Sequence, residues 1–377
     1  MEVWKGVNMS YSKISNIEAI FFVATIMMNH IIMNLSKSLI DFSGSATILN
    51  IIFVLIIILA IVYFVSKTMK HFPGQDIIDI SSFLGGKLLK NIIGILFLLY
   101  FLFSASVFLR SFCESLKIIY FENTPIAFLI LLFIIGIVLC NRLGFKAIVK
   151  ANLIFMPFVL FSIIFVFIAN IDNFTFQRIF PLLGNGVSTT FFSGISNLFA
   201  FSGLSLLYFI PPHLKEEKDF KKVAFSSMIL SGIWLLFSIA TLLFIFPSMV
   251  ISEEILPLYL ASRFIEFGRF FQRLDAIFIF IWIISIISYL SILVNLMVQI
   301  FRKITNFKYQ YATIYLFSIL VFALSLIPQN FAQIQFLETT VYKYIVLALV
   351  FVISLFILLF ASLKNKRLRK KGETLID

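Results

Sequence analysis

Polar side chains interrupt two apolar segments of this 377-residue chain. The stretch "TIMMNHIIMN" places Asn29 and His30 among apolar residues, and "FAFSGLSLLYFIPP" does the same for Ser202 and Gly203. A helix that spans a membrane is broken only where the freed backbone groups line a cavity. Gly203 can in addition take dihedral angles that other residues avoid. These positions predict a site where exposed backbone groups and half-helix ends hold a small polar ligand.

Two tyrosines complete the candidate site. Tyr100 and Tyr289 lie near the middle of apolar segments and could cap such a cavity. Every candidate also has a simpler explanation. The Asn-His pair can hydrogen-bond between helices, the Ser-Gly pair can allow close helix packing, and both tyrosines can be packing residues. The residue types leave these alternatives open.

Residues for covalent chemistry or metal binding are not grouped in this sequence. His30, His71 and His213 fall in three different segments, so they do not form a metal-ligand set. Gly85–Gly86 lacks the rest of a dinucleotide-binding fingerprint. No nucleophile–base pair stands at a useful spacing. We therefore expect a protein that is not an enzyme and that uses no cofactor or metal.

Charged residues are nearly absent from the middles of the apolar segments. Arg110, Glu114 and Asp275 come closest, and they fall toward segment ends, where an ion pair or a snorkelling head at the outer rim is the favoured interpretation. Ion-coupled pumps usually keep a carboxylate inside the membrane, so the sequence does not support ion coupling. Three serines between positions 285 and 291 could still offer oxygens to sodium.

The composition decides the class of protein. Hydrophobic residues make up 61% of the chain and charged residues 13%, and the mean hydropathy is +1.07. A soluble domain carries about 25% charged residues, so the chain is an integral membrane protein. Its apolar segments lack the alternation of barrel strands, which predicts an all-α polytopic bundle. The ten predicted transmembrane helices cover about 15–36, 46–68, 91–113, 124–141, 148–170, 190–211, 223–247, 275–301, 311–328 and 340–362.

Two longer connections and the loop charges define the topology. We expect a short amphipathic helix on the inner surface within 71–90, and a similar outer segment at 248–273. Most of the 30 Lys and Arg residues lie on one side if both termini are cytoplasmic. The net charge of +12 does not indicate nucleic acid, because the basic residues lie in short loops. Cys113 and Cys140 fall near opposite faces and are not expected to pair.

The two polar interruptions occupy corresponding places in the chain. Each lies about thirteen residues into its predicted helix, the first and the sixth. Corresponding interruptions in two halves indicate inverted repeats with a binding site between them. We therefore predict one transmembrane domain, 1–377, with five-helix repeats at 15–170 and 190–362 and a basic cytoplasmic tail at 363–377. This is a LeuT-like arrangement with broken helices 1 and 6.

Three stretches resemble a known family. "FPGQDIIDISSFLGGKLLKNIIGILFLLYF", "RLGFKAIVKAN" and "FQRLDAIFIFIWIIS" are similar to the B subunits of Ger-type spore germinant receptors, within the amino acid–polyamine–organocation transporter superfamily. The resemblance covers essentially the whole chain. It implies an inverted-repeat transporter fold with a ligand pocket where helices 1 and 6 unwind. It also implies A and C subunits as partners in the spore inner membrane.

The resemblance also assigns residues to the two breaks. In helix 1 the break falls on Met28, Asn29 and His30, and in helix 6 it falls on Phe201, Ser202, Gly203 and Leu204. The chain departs from the superfamily's glycine-rich helix 1 break, since it has no glycine between Gly6 and Gly44.

Two functions are consistent with this sequence. The first is a germinant-receptor subunit that binds a small nutrient, expected to be an amino acid, and signals to its partners. The second is an amino-acid permease of the same fold. A lipid or glycan flippase fits less well, because a large charged cavity is not indicated.

Overall fold

The structure, a computed structural model, describes residues 11–265 and 275–370. Within these residues the chain is helical apart from loops and one isolated bridge between Ile14 and Leu214. This confirms the predicted all-α class. The α-helices, in chain order, are α1 (Asn16–His30), α2 (Ser36–Ser43), α3 (Thr47–Met69), α4 (Ile77–Ile119), α5 (Ile126–Arg142), α6 (Phe145–Ala169), α7 (Leu204–Leu207), α8 (Asp219–Ile245), α9 (Ser248–Glu253), α10 (Pro257–Arg263), α11 (Asp275–Thr305), α12 (Gln310–Ser325), α13 (Phe331–Phe336), α14 (Tyr342–Ile345) and α15 (Ser354–Lys370).

Helical segments correspond to all ten predicted spans. Six continuous segments are long and apolar enough to cross a membrane, and the first, Asn16–Met69, contains spans 1 and 2. The shorter apolar helices α5 and α12 correspond to spans 4 and 9. Span 6 is an irregular segment from Ser188 to Leu207. Spans 3 and 10 begin earlier than predicted, at Ile77 and Phe331, because their helices continue through polar residues that lower the local hydropathy.

The helix α4 begins inside the predicted amphipathic connection. Asp76 is its N-cap, and the carboxylate accepts hydrogen bonds from two backbone N–H groups of the first turn. Gly86, at φ +66°, then kinks the helix, a conformation that favours glycine. The side chains of Ile77, Ile78 and Ile80 are fully buried. The helix exists as expected, but this apolar face packs inside the protein rather than on a membrane surface.

The first and eighth spans lie in the middle of the bundle. The helix α1 packs on α6 and α8, and α11 packs on α4, α5 and α6. Large aromatic side chains such as Phe97, Phe101 and Tyr289 are fully buried between these helices. Large apolar side chains on the outside, such as Phe192 and Ile56, remain exposed, as expected for a surface that faces lipid.

Irregular helical turns interrupt the first, sixth and tenth spans. A π-helical turn inserts an extra residue into a helix and often marks a functional site. The tenth span runs from α13 through α14 to α15 with π-helical turns between these helices. The irregular segments are Ile31–Leu35, Ser188–Phe192, Leu337–Val341 and Val346–Ile353, which are π-helical, and Ser193–Phe201, which is a 3-10 helix.

Candidate functional site

The first span is broken beyond His30 rather than at it. The helix α1 stays regular through Met28, Asn29 and His30, and the π-helical segment Ile31–Leu35 follows. Met33, at φ −79° and ψ −109°, leaves the helical region. The predicted position of this break was therefore wrong by three to five residues. The break needs no glycine, because the π turn takes up the extra residue at negative φ.

The sixth span is broken where the sequence predicted. The 3-10 segment Ser193–Phe201 ends at Ser202, and only the single turn α7 follows. Gly203 has ordinary helical angles, φ −54° and ψ −21°, so the conformational freedom of glycine is not used at this position. Its role is close packing, because a Cβ there would lie 2.9 Å from the backbone oxygen of Val23 in α1.

The imidazole of His30 is the centre of the site. It stacks on Phe108 with ring centroids 3.9 Å apart and an interplanar angle of 9°. Its Nε2 lies 3.0 Å from the hydroxyl of Tyr289, and its Nδ1 lies 3.5 Å from the hydroxyl of Ser202. The ring of Tyr342 meets it edge-on at 5.2 Å. Four spans therefore converge on this one ring.

A second group of hydroxyls lies next to the histidine. The Tyr100 and Tyr342 hydroxyls are 3.2 Å apart, and Tyr100 also donates to Ser205 at 3.4 Å. Tyr208 donates to the carbonyl of Val350 at 2.9 Å. That carbonyl lies in the π-helical turn Val346–Ile353 of the tenth span. Side chains of the third and sixth spans thus hold the tenth span at its irregular part.

A buried carboxylate completes the site. Glu338 is 5% exposed, and its Oε2 accepts hydrogen bonds from Asn34 Nδ2 at 3.0 Å and from the Ser111 hydroxyl at 2.7 Å. Asn34 and Glu338 each lie in a π-helical turn, so the irregular parts of the first and tenth spans face each other. The structure places Glu338 near one end of the continuous helical segment Phe331–Leu368, whereas the predicted span 10 begins only at residue 340. The hydropathy pattern therefore leaves this carboxylate outside the span.

A small cavity lies between these groups. Its volume is about 10 Å³, room for roughly one water molecule. A cavity therefore lies at the expected place but is too small for a nutrient, and the carboxyl group of Glu338 forms part of its wall. The cavity is lined by His30, Asn34, Leu35, Ser38, Phe108, Phe199, Glu338, Thr339 and Tyr342.

A polar groove adjoins this cavity on the outer side of the predicted topology. The groove measures about 600 Å³ and runs between α2 and the start of the tenth span. Ser38 and Thr339 line both spaces, so they form the wall between them. Lys37, Asp41 and Lys343 bring charge to the groove. Separation of α2 from the tenth span would join the groove to the cavity.

The predicted site residues divide into two groups. Around the cavity the structure brings together His30, Ser202, Tyr100 and Tyr289, of which His30 itself lines the cavity wall. The remaining predicted site residues are buried in the helix contacts behind the cavity. This second group is Met28, Asn29, Phe201, Gly203 and Leu204.

A separate polar cluster joins α1, α6 and α11. Asn152 Oδ1 accepts hydrogen bonds from Thr25 at 2.8 Å and from Ser288 at 3.2 Å. The Ser285 and Ser291 hydroxyls and the Asn152 amide nitrogen are buried without a partner. Of the three serines considered for sodium binding, Ser288 therefore donates to Asn152 at an interhelical contact, and the other two are buried.

The residues expected at the outer rim pair there. Arg110 Nε lies 3.2 Å from Glu114 Oε2, one helical turn along α4. Asp275 accepts hydrogen bonds from the hydroxyls of Tyr120 at 3.2 Å and Tyr259 at 3.0 Å. Burial raises the pKa of Tyr259, so it stays protonated and donates. Arg110 and Glu114 thus form the expected ion pair, and Asp275 is held by two tyrosine hydroxyls.

The opposite end of the site is sealed by the segment that precedes α1. Ile14 N donates to the carbonyl of His213 at 2.9 Å, and Lys13 Nζ donates to the carbonyl of Leu214 at 2.8 Å. His213 is buried against Phe145, with ring centroids 4.0 Å apart. Burial lowers the pKa of His213 and raises the pKa of Tyr11 to about 12. These contacts tie the start of the first span to the end of the sixth.

Sequence reasoning missed the tenth-span side of the site. Glu338 and Tyr342 lie beyond Asn330, which accepts a hydrogen bond from Gln333 N and is the N-cap of this span. An Asn that caps a helix two residues after Pro328 is a sequence signal. Reading it would have moved the helix start ahead of Glu338. No comparable signal marks Asn34 or Phe108.

Comparison with known proteins shows the family. A profile described as "Spore germination protein" matches residues 13–334 of the chain. The chain belongs to the spore germination protein family. Its resemblance to the Ger-type B subunits is thereby confirmed, and the relatives below are Ger proteins.

The similar spore germination proteins come from Bacillus subtilis (strain 168). Spore germination protein KB is 26% identical over 204 residues, 53% of this chain and 55% of KB. Spore germination protein A2 is 25% identical over 201 residues, again 53% and 55%. Protein B2 is 20% identical over 244 residues, 65% and 66%. The chain thus spans little more than half the length of the first two relatives.

Solved transporter structures show the fold of this family member. MhsT in complex with L-phenylalanine has a TM-score of 0.63 at 14% identity, over 94% of this chain and 100% of MhsT. Mhp1, a nucleobase-cation-symport-1 family transporter, in its closed conformation with bromovinylhydantoin bound, has a TM-score of 0.62 at 12% identity, over 87% and 75%. The predicted LeuT-like bundle with broken helices 1 and 6 is confirmed.

Proposed function

We propose that this chain is the nutrient-sensing subunit of a spore germinant receptor. The observation that carries the proposal is the closed cavity at His30, placed where the irregular parts of the first and tenth spans face each other. Membership of the spore germination protein family supports the biological role, and the transporter fold supports a ligand site at this place. A free amino acid is the proposed nutrient.

The closed cavity suggests how binding would become a signal. A volume of about 10 Å³ cannot hold an amino acid, so entry from the outer groove requires α2 and the tenth span to separate. The ligand can shift the equilibrium between the closed and the open packing only by the difference between its binding free energies for these two states. The displaced spans would then present a changed surface to the partner subunits. The proposed partners are receptor A and C subunits in the spore inner membrane, with both chain termini cytoplasmic.

An amino-acid permease is the second candidate function. It is favoured by the similarity to MhsT and Mhp1, whose fold supports transport. In a permease, the inner contacts of Lys13 and His213 would open in the course of each cycle. In a receptor, binding at the outer side is sufficient and no net flux is required.

One experiment separates the two functions. The gene is deleted in its spore-forming host and replaced with the wild type, with His30→Ala or with Gly203→Leu. Germination on a panel of L-amino acids and uptake of the same labelled amino acids are both measured. A receptor loses germination in the deletion strain and the Gly203→Leu strain, while uptake is unchanged. Normal germination with lost uptake would refute the receptor and support the permease.

A further inference from the structure

Glu338 is an acid in an unusual position. It is 5% exposed, it lines the central cavity, and both of its hydrogen bonds reach Oε2. The donors are the neutral groups of Asn34 and Ser111. Among residues 11–265 and 275–368, no Lys, Arg or His nitrogen pairs with this carboxylate at ion-pair distance, and the charge of Lys37 attracts it only from farther away. An ionised carboxylate buried without a cation is strongly disfavoured.

A second polar atom at the same cavity also lacks a partner. Asn34 is 1% exposed, and its Oδ1 accepts no hydrogen bond although its Nδ2 is bound to Glu338. A buried acceptor without a donor carries a desolvation penalty. The cavity therefore presents a carboxylate and an amide oxygen together. The His30 ring and the Phe108 face lie beside them.

A protonated amino group matches these neighbours. It supplies a positive charge in direct contact with Glu338, closer than that of Lys37, and its several N–H donors can reach Asn34 Oδ1 as well. We propose that Glu338 is the counter-ion of the ligand's ammonium group, so that this site selects compounds with a protonated amine. The inference rests on the proposed nutrient-binding function and names the chemical group that the site recognises.

The outer groove suggests where the other end of such a ligand would lie. Lys343 contacts the rings of Phe42 at 4.7 Å and Phe199 at 5.4 Å, and Phe199 also lines the cavity. Glu338 and Lys343 are five residues apart in one helical span, roughly 7 Å along its axis. An α-amino acid fits this spacing with its ammonium group at Glu338 and its carboxylate directed toward Lys343.

The alternative is a permanently neutral Glu338 that serves only as a hydrogen-bonding group. Glu338→Gln separates the two, because the amide keeps the shape and an oxygen that can accept from Asn34 and Ser111. Glu114→Gln is the matched control. It makes the same chemical change in a carboxylate that pairs with Arg110 outside the cavity lining.

The test uses spores in which this chain and its partner subunits form the sole germinant receptor. Half-maximal germination concentrations are measured for the twenty L-amino acids and for a panel of sugars and nucleosides. The most potent one is then compared with its decarboxylated amine and with the 2-hydroxy acid of the same side chain. Each variant is assayed in the same way, with its abundance in spore membranes checked by immunoblot.

The expected result is a response to the amino acid and a weaker response to the amine, with none to the hydroxy acid. Glu338→Gln should raise the half-maximal concentration about 10- to 100-fold at normal abundance, as expected for loss of a charged hydrogen bond. Glu114→Gln should change it less than twofold. If Glu338→Gln lowers abundance, the ligand comparison in wild-type spores decides, because it needs no variant.

Other outcomes overturn the inference in distinguishable ways. A potent hydroxy acid, or an unchanged response in abundant Glu338→Gln spores, refutes the ammonium counter-ion and leaves nutrient sensing intact. A response only to sugars or nucleosides does the same. If none of these nutrients triggers germination through this receptor, the proposed function falls and the inference falls with it.

Discussion

Replacement of Gly203 by alanine should destabilise the protein through one contact. The added Cβ would lie 2.9 Å from the Val23 backbone oxygen and 3.3 Å from Met27 Cγ. Ordinary contacts begin near 3.4 Å, so α1 and the sixth span must separate by about half an ångström. Overpacking of this kind typically costs about 1–3 kcal/mol. Because the obstacle is backbone, no rotamer change relieves it.

The matched control is alanine at Gly136 in α5. There the nearest atom to an added Cβ is Ile287 Cδ1 at 3.7 Å, which is ordinary van der Waals contact. Alanine is also the better helix former by about 1 kcal/mol. Gly136→Ala should therefore be neutral or slightly stabilising. Gly203→Ala and Gly136→Ala thus add the same methyl group at two helix contacts, which differ mainly in the space available for it.

The assay is thermal unfolding of the purified full-length chain in detergent, followed by tryptophan fluorescence. Trp282 is 1% exposed and should report loss of the core. We expect Gly203→Ala to lower the melting temperature by roughly 2–8 °C and Gly136→Ala to leave it unchanged or raise it. Equal melting temperatures for Gly203→Ala and wild type would refute the close contact with Val23.

Three further predictions concern buried polar contacts. Tyr208→Phe should cost about 1–2 kcal/mol in thermal unfolding, because Val350 loses its donor; an unchanged melting temperature would contradict this. Lys303→Ala should cost about 2–4 kcal/mol, because it leaves Asp76, 2.6 Å away, without its cation; a stable variant at neutral pH would argue against that ion pair. Burial lowers the pKa of His213 below its ordinary value of 6.5, against the smaller opposing effects of its hydrogen bonds to the Ser12 carbonyl and Gln299 and of the charge of Asp76, so the unfolded state binds this proton more readily as the pH falls through 6.5. Stability should then fall by up to about 1.4 kcal/mol at pH 5.5 relative to pH 7.5, and His213→Gln, melted at both pH values, should lose that difference.

The sequence alone determined the class, the number of spans and the sixth-helix break. These follow from properties read along the chain, since about 20 apolar residues define a span and Ser202–Gly203 interrupts one. The need of His30 for buried partners was also visible, because an imidazole in an apolar segment is costly without them. The resemblance to the germinant-receptor B subunits was readable in the same way, from quoted stretches in their order.

The tertiary structure decided what the site contains. Asn34 and Glu338 are 304 residues apart, and only the packing of the first span on the tenth brings them to 3.0 Å. The break at Met33 was likewise visible only in the structure. A π turn forms at negative φ, so it requires no glycine that would mark its position in the sequence. A hydropathy pattern averages the apolar character of residues that are neighbours in the sequence. It carries no information on helix rotation, and rotation determines which side chains share a cavity.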